Sequence, residues 1–523
     1  MPEMPPVGEE TIREIMDRRA RDEPAHVYCY FKDRAYTFGE IDDAVNRVAN
    51  GLLALGLVKG DRVGLMLPSH PDHVVAIFAL AKIGLVRVPV NVHLKGAALD
   101  YIFDQFAPRA LVVDAQYAEL INPVLRTRSI EITIWRGAPA NGGPSYAELA
   151  THPDNAPPAI APATDDILAL TPSSGTTGSP KGVLKSDRTL RAGPMGTRAL
   201  TGMKRGDVFL LWEALHHGAG VAVLIAAVIE RITLGMVEHF SASQFWHEAR
   251  RYRATHIHYL GGVLPMLLKQ PATADDRNHD VRIAWGGGCP REVWRPFAER
   301  FGVEMREGYG LSELITFVTI NTDGPAGSIG KPLPYFDVQL TDDSGTEVPT
   351  GETGEIVVRA RERGLNFLGY FRNAEAAAAT MRGDWFCTGD LGRKDAQGYY
   401  YFAGRKKDSV RRRGVNISAW EVERVVNEHP DIEECALVGV PSELGEDDLL
   451  LYVRAVSGRE LDPLALIRWC EPRMPYFQIP RYVRCVDDFP KTPTQRIRKL
   501  DLSRSVADCW DVEKSGYVAG RKR

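Results

Sequence analysis

The sequence has few cysteines, and none of them form a CxxC pair. Its seven cysteines are scattered along the chain and odd in number. Disulfide-bonded secreted proteins and structural zinc sites instead place cysteines in even numbers at short, regular spacings. We therefore exclude a disulfide framework and a cysteine zinc site, and we expect reduced thiols in a cytoplasmic protein.

Long apolar stretches are also missing. The longest apolar run covers residues 219–229 and is closed by Glu230. It is far shorter than the roughly 20 residues of a membrane-spanning helix. The first residues are acidic and contain no apolar core, so the sequence predicts neither a signal peptide nor a membrane span.

Neither sign of charge is in large excess. Lysine and arginine number 64 against 68 for aspartate and glutamate, which leaves a net charge of −4. No global basic field attracts nucleic acid, and we expect no nucleic-acid partner. The 523 residues are too many for one core, so two or more domains are expected.

The order of apolar segments indicates an α/β fold. Residues 63–67, 71–84 and 86–92 read as strand, helix and strand, which is the βαβ unit of a parallel sheet. The pattern returns after residue 207. From about residue 325, short alternating strands predict a β-rich part. The charged segment 404–413 then precedes a separate α+β region.

One segment points to phosphate binding. Residues 171–183 read TPSSGTTGSPKGV and follow the apolar run 167–170. Glycines, hydroxyls and one lysine in such a loop can surround an anion with N–H groups and positive charge. The spacing is not the Walker pattern, because Ser179 and Pro180 separate Gly178 from Lys181. Read alone, the cluster could also be a polar surface loop.

Three further segments follow in order: REGYGLSEL at 306–314, TGD at 388–390 and GRKKD at 404–408. Together with the phosphate loop they resemble the adenylate-forming superfamily, which includes acyl-CoA synthetases, firefly luciferase and the adenylation domains of peptide synthetases. The resemblance covers nearly the whole chain. It implies a large adenylation domain, 1–406, made of α/β sheet subdomains with a β-rich subdomain at about 325–403. It also implies a small mobile α+β domain, 407–523, that rotates about Lys407.

The resemblance implies an ATP site in the loop and in the later motifs. Tyr309 would stack on adenine, and Asp390 and Arg405 would bind the ribose. Glu313 and Thr176 would hold Mg²⁺ through oxygen ligands. The implied ATP- and AMP-binding residues are Ser173, Ser174, Gly175, Thr176, Thr177, Gly178, Lys181, Gly287, Gly308, Tyr309, Ser312, Asp390 and Arg405.

The resemblance also implies an acyl pocket and a path for coenzyme A. His216 would gate the path between carboxylate and thiol, although a capping or surface histidine pair is the alternative. Gly414 would let the pantetheine arm pass close to the backbone. Glu213 would suit a cationic acid such as a betaine, but a lone glutamate is more often a surface residue. The implied acyl-pocket residues are Trp212, His217, Gly261, Gly262, Gly286, Gly288 and Cys289.

The chain departs from the family pattern at Ser312, where threonine is usual, in the segment 212–216, which ends at the first histidine of the pair, and at two further places. The family form PKTxxGKI is PKTPTQRI at 490–497, so Arg496 replaces the catalytic lysine that contacts the carboxylate and the α-phosphate. Arginine keeps the charge and can bind phosphate with two hydrogen bonds, so we expect Arg496 to serve adenylation in its own geometry. Ser186-Asp187 replaces the usual Ser-His, with no consequence that the sequence explains.

The implied activity is an AMP-forming acid–thiol ligase. Attack of a carboxylate on the α-phosphate of ATP gives an acyl adenylate and pyrophosphate, and CoA then displaces AMP. The segments THIHYLGGVLPMLLKQP and RRRGVNISAWEVE are similar to the branch that contains crotonobetaine/carnitine-CoA ligases. The partners would be a small carboxylic acid, ATP and CoA, and the protein a monomer or homodimer. An acceptor other than CoA, such as a carrier protein or an amine, is one alternative, and a non-catalytic acyl or nucleotide sensor is another.

Overall fold

The structure is a computed structural model that describes residues 7–138, 143–173, 180–260, 263–289, 291–406, 409–412, 415–442, 445–490, 497 and 499–517. The helices in these ranges are α1 (Ile12–Asp22), α2 (Phe38–Ala54), α3 (Pro71–Lys82), α4 (Gly96–Phe106), α5 (Ala118–Thr127), α6 (Tyr146–Ala150), α7 (Asp187–Thr201), α8 (Gly218–Glu230), α9 (Phe245–Arg251), α10 (Val263–Leu268), α11 (Arg291–Phe301), α12 (Ala374–Ala379), α13 (Ala419–Val426) and α14 (Pro463–Cys470).

The strands are β1 (Val27–Phe31), β2 (Arg34–Thr37), β3 (Arg62–Met66), β4 (Val86–Pro89), β5 (Ala110–Asp114), β6 (Ile132–Arg136), β7 (Ile167–Ser173), β8 (Lys181–Ser186), β9 (Val208–Leu211), β10 (Thr233–Met236), β11 (His256–Leu260), β12 (Ile283–Gly287), β13 (Glu304–Gly310), β14 (Phe317–Asn321), β15 (Lys331–Pro332), β16 (Phe336–Thr341), β17 (Thr353–Ala360), β18 (Met381–Arg382), β19 (Trp385–Lys394), β20 (Tyr400–Arg405), β21 (Ser409–Arg412), β22 (Val415–Ser418), β23 (Ile432–Pro441), β24 (Asp447–Ala455), β25 (Tyr482–Cys485) and β26 (Trp510–Asp511).

The first sheet contains the predicted βαβ unit. Its order is β6-β5-β3-β4-β7-β8, and its neighbours are parallel except for the antiparallel pair β7–β8. Helix α3 connects the parallel strands β3 and β4. It begins at Pro71, whose fixed φ suits a first helical turn. Its side chains are apolar on nearly every side because it lies inside the core.

The second sheet has the order β15-β14-β13-β12-β11-β9-β10-β1-β2. Its strands from β13 to β1 are parallel, as expected from the repeated pattern after residue 207. Helices α2, α3, α7 and α8 contribute apolar side chains to one core that also receives side chains from both sheets. The two sheets and these helices therefore form a single packed body.

The rest of the chain differs in character. Strands β16 to β20 form an antiparallel sheet, which confirms the predicted β-rich part. The C-terminal part combines the hairpin β21–β22, the sheet β23-β24-β25-β26 and helices α13 and α14. Its apolar core is separate, with Val422, Leu437, Leu451 and Ile467 buried together. The mixed α/β class, with a large N-terminal and a small C-terminal domain, is thus confirmed. No helix in the described part of the chain is long and apolar enough to cross a membrane.

Candidate active site

A large cavity, about 3100 Å³ in volume, brings together most of the predicted site residues that the structure describes. Side chains from both large sheets, the β-rich sheet and the C-terminal domain line it. The predicted residues that line it are Lys181, Trp212, His216, His217, Gly287, Gly288, Cys289, Gly308, Tyr309, Ser312, Glu313 and Asp390. Gly286 is not among the described residues that line the cavity. Its Cα instead packs against the Tyr259 carbonyl, and a Cβ added to Gly286 would lie 1.9 Å from that oxygen.

Several predicted residues lie outside the described ranges. These are the loop residues Ser174, Gly175, Thr176, Thr177 and Gly178, and also Gly261, Gly262, Lys407, Gly414 and Arg496. The strands on both sides of the loop are described. Strand β7 ends at Ser173 and β8 begins at Lys181, antiparallel to it. The predicted strand-like exit of the chain from the loop is therefore observed.

Lys181 and Glu313 both contact Tyr370, one at its ring and the other at its hydroxyl. The Lys181 ammonium lies 4.8 Å from the centre of the Tyr370 ring, and the Tyr370 hydroxyl donates a 3.0 Å hydrogen bond to Glu313 Oε1. Burial raises the pKa of Tyr370 above its usual value, so the hydroxyl stays a donor. The predicted phosphate and metal ligands are thus held on the same side of the cavity.

Lys185 was not predicted as a site residue, yet it supports this side of the cavity. Its side chain has no exposed surface. Its Nζ donates to the backbone oxygens of Ser312 and, at 3.5 Å, Glu313. Burial lowers the pKa of Lys185 to about 7, against the opposing effect of the Glu313 charge. The turn that follows is tightly fixed, since Ile315 has a φ of +63° and Thr316 Oγ1 accepts from the Gly196 N–H at 2.8 Å.

The sequence could have indicated a buried position for Lys185, because side chains alternate between the two faces of strand β8. Residues of a strand point to opposite faces in turn, so Lys185 shares a face with the buried Val183. A lysine on the buried face of a strand next to a phosphate loop requires a partner, which the turn 312–313 provides.

Tyr309 and Asp390 lie together at the predicted nucleoside end. The Tyr309 hydroxyl donates a 2.7 Å hydrogen bond to Asp390 Oδ2, and both side chains are buried. Asp390 and Arg405 are paired across β19 and β20. Phe402 is 47% exposed and its ring centre is 6.4 Å from that of Tyr309. An aromatic surface therefore borders the carboxylate, as adenosine binding requires.

Glu307 fixes the glycine-rich end of β12. Its carboxylate accepts from the Gly288 N–H at 2.6 Å, the Cys289 N–H at 3.2 Å and the Tyr259 hydroxyl at 2.7 Å. Gly288 has a φ of +80°, a conformation that favours glycine. Burial raises the pKa of Glu307 to about 7, although these hydrogen bonds lower it. The segment between the nucleoside and acyl ends is thus held by one carboxyl group.

The two adjacent histidines border the cavity. The ring centres of His216 and His217 are 4.6 Å apart. Protein atoms pack densely around both residues, although His216 is partly exposed and His217 is exposed where they line the cavity. Burial lowers the pKa of each below its usual value, so both are neutral near pH 7. His217 occupies the N-cap position of α8, although its side chain makes no cap hydrogen bond.

Glu213 is not a surface residue. It is 5% exposed and contacts His258, which is equally buried, through Oε1 and Nδ1. The Trp212 indole N–H donates a 2.9 Å hydrogen bond to the His258 carbonyl. All three residues line the cavity, so the acyl side carries a buried acidic group that was expected on the surface.

The C-terminal domain closes the cavity from outside. A Cβ added to Gly288 would lie 3.5 Å from Arg411 Nη2, on the hairpin β21–β22. Lys95 Nζ donates a 3.0 Å hydrogen bond to the Glu471 carbonyl, and the ring of His93 meets that of Tyr476 edge to face. The first contact places the hairpin next to Gly288, and the other two place residues 471–476 beside residues 93–95.

The departure at Ser186-Asp187 also has a structural role. Asp187 Oδ2 accepts from the backbone N–H of Ile12 at 2.9 Å, and Oδ1 accepts from Arg191 at 2.6 Å. Asp187 is fully buried. It therefore ties the start of α1 to the start of α7, away from the nucleotide.

A Mg²⁺ ion fits the phosphate side through Glu313. Its carboxylate lines the cavity and offers hard oxygen atoms, which Mg²⁺ prefers. The described residues contain no cluster of three or more histidine, cysteine or acidic groups that would hold a metal alone. This suits an ion that completes its coordination with phosphate oxygens and water.

Comparisons with known proteins show the family of this chain. Residues 16–371 match the AMP-binding enzyme family, and residues 421–496 match the AMP-binding enzyme C-terminal domain. The chain is 31% identical to crotonobetaine/carnitine–CoA ligase of Escherichia coli O157:H7 (strain EC4115 / EHEC), over 89% of this chain and 93% of that protein.

Two solved structures show the same fold. The o-succinylbenzoate CoA synthetase of Bacillus subtilis, a double mutant bound to a product analogue, superposes with a TM-score of 0.83 at 23% identity and covers 96% of this chain and 98% of its own. The anthranilate CoA ligase bound to anthranoyl-AMP gives 0.71 at 26% identity, over 94% and 96%. Fold and cavity therefore define an adenylate-forming enzyme of the acyl-CoA synthetase type. The chain belongs to the AMP-binding enzyme family.

Proposed function

We propose that this protein is an ATP-dependent carboxylic acid:CoA ligase that works through an acyl adenylate. The observation that carries the proposal is one cavity in which the Tyr309–Asp390 nucleoside end and the Trp212–His217 acyl side are continuous. An acid bound on one side can therefore reach the α-phosphate of ATP bound on the other.

In the first half-reaction the acid carboxylate attacks the α-phosphate and pyrophosphate leaves. Lys181 and the loop 173–178 bind the leaving phosphates, and Ser312, Gly308 and Gly287 line the nucleotide's path. Glu313 and Thr176 would hold Mg²⁺, which would neutralise phosphate charge there. Arg496 contacts the carboxylate and the α-phosphate. The protein mainly positions the reactants and stabilises charge.

In the second half-reaction the CoA thiol attacks the acyl carbonyl and AMP leaves. The domains would be 1–406 and 407–523, with rotation about Lys407 bringing Gly414 to the pantetheine arm. His216 gates the path and Arg405 stays with the ribose. The enzyme would act in the cytoplasm on a small carboxylic acid, as a monomer or homodimer. The crotonobetaine/carnitine–CoA ligase relative supports CoA as the acceptor.

A pyrophosphate-release screen over carboxylic acids, with CoA present or omitted, tests this function. Acid-dependent pyrophosphate release together with CoA-dependent AMP release supports a CoA ligase. AMP release that does not depend on CoA indicates another acceptor. ATP binding without turnover on any acid indicates a sensor.

The replacement of the family lysine gives a sharper test. Arg496→Ala should abolish acid-dependent ATP–pyrophosphate exchange, because no cation then contacts the α-phosphate. The same variant should still form thioester from a supplied acyl adenylate. Undiminished exchange would show that Arg496 has no part in adenylation.

A further inference from the structure

The acyl side of the cavity contains a carboxylate–imidazole pair that the reaction does not need. Glu213 lies after β9 and His258 lies within β11, so the fold brings together residues 45 positions apart. Each side chain is 5% exposed, and both line the cavity. Neither touches the nucleotide end.

The two side chains depend on each other. In the described part of the chain, no hydrogen-bond donor other than His258 reaches either Glu213 oxygen. Burying a carboxylate without partners is costly, so the imidazole Nδ1–H is the natural donor to it. Trp212 and Trp285 enclose the His258 ring, with ring centres 6.0 and 4.3 Å away. These contacts hold the ring between two indoles, with Nδ1 toward Glu213.

The orientation of the ring determines what Nε2 can do. An imidazole that donates from Nδ1 has its Nε2 lone pair free as an acceptor. A purely hydrocarbon acyl group packed there would leave Nε2 without a hydrogen bond, which is unfavourable inside a protein.

We propose that the Glu213–His258 pair recognises a hydrogen-bond-donating substituent on the acyl part of the acid. The substrate class is then hydroxy- or amino-substituted carboxylic acids, in which the O–H or N–H group donates to His258 Nε2. This inference rests on the proposed function. Glu213 acts through His258 and is a positioning residue, whereas His258 determines specificity by direct contact.

The test compares acids that share a carbon skeleton and differ in one substituent: hydrogen, hydroxyl or amino. ATP–pyrophosphate exchange gives kcat/KM for each acid. The wild type should prefer a substituted acid by about 10- to 100-fold, because a buried acceptor discriminates against analogues that lack the donor. The hydroxyl and amino arms show which donor the pair accepts.

Two variants test whether the preference for substituted acids depends on the Glu213–His258 pair. His258→Phe should bring the ratio of substituted to unsubstituted acid close to one, and Glu213→Gln should reduce it. The ratio is measured on one enzyme preparation, so partial misfolding does not change it. An unchanged ratio in His258→Phe, or a wild-type preference for the unsubstituted or a trimethylammonium acid, would overturn the proposal.

His256 provides a matched control on the same strand. It is buried and stacks on Phe209 with ring centres 4.3 Å apart, and it is not among the described residues that line the cavity. His256→Phe should keep the wild-type ratio, and loss of the ratio in this variant would also count against the pair. If the wild type shows no acid-dependent exchange at all, the proposed function itself fails.

Discussion

The nucleotide half of the cavity and its acyl half are built in different ways. The nucleotide half consists of short contiguous motifs, such as Tyr309 to Glu313, whose groups are joined by hydrogen bonds. The acyl half consists of single residues from distant strands, such as Glu213, His258 and Trp285. The contiguous motifs of the nucleotide half all serve one task, the binding of ATP. Each residue of the acyl half can be substituted without changing the others, and such a substitution would alter which acid fits.

The largest effect is expected from a substitution at Glu313, which tests whether the nucleotide half serves only the adenylation step. Glu313→Gln keeps the hydrogen bond from Tyr370 but removes the charge for Mg²⁺. We expect acid-dependent ATP–pyrophosphate exchange to fall by about 100- to 1000-fold. Thioester formation from a supplied acyl adenylate should stay within a few-fold. Glu304→Gln, at an exposed position of β13, is the control, and equal losses in both half-reactions would contradict the division of roles.

A smaller effect is expected at Glu307, between the two halves. Its pKa is raised from 4.5 to about 7, so the folded protein binds this proton more tightly than the unfolded chain. The resulting stability is fully present below about pH 4.5 and is lost as pH rises through about 7. The variant Glu307→Gln has no titratable group at this position, so its stability lacks this dependence on pH.

Melting temperatures of both proteins at pH 5 and pH 8 measure this effect. The wild type should lose roughly 2 kcal/mol of stability relative to Glu307→Gln over this range, seen as a larger fall in melting temperature. Parallel pH profiles would mean that the Glu307 carboxyl is ionised throughout.

Two glycines of α7 pack against the segment 315–317 and should respond differently to replacement by alanine. A Cβ at Gly196 would lie 2.5 Å from Thr316 Oγ1 and 2.7 Å from the Phe317 nitrogen. Gly196→Ala should therefore destabilise the protein by about 1–3 kcal/mol. A Cβ at Gly193 would meet Ile315 at an ordinary 3.4 Å, and Gly193→Ala should be neutral or stabilising by up to about 1 kcal/mol.

Gly193 also lines the cavity, so its alanine variant should shift preference toward smaller acids by about tenfold at most. Thermal melting and exchange kinetics on acids of increasing size measure both changes. A lower melting temperature for Gly193→Ala than for Gly196→Ala would contradict the packing of α7.

The same division explains what could be predicted. The βαβ unit and the β-rich sheet followed from the apolar periodicity, whereas the expectation that Tyr309 and Asp390 share one site came from the family resemblance of their motifs. The Glu213–His258 contact did not, because nothing local distinguishes a buried glutamate after β9 from an exposed one. Asp187 likewise required the position of Ile12, which only the folded chain supplies.

Lys185 has one more consequence. An acyl adenylate is an acylating agent, and an amine whose pKa is about 7 is a capable nucleophile near neutral pH. The Lys185 amine is committed to the carbonyls of Ser312 and Glu313 and has no exposed surface. We expect this contact with the turn 312–313 also to limit acylation of Lys185 by the adenylate.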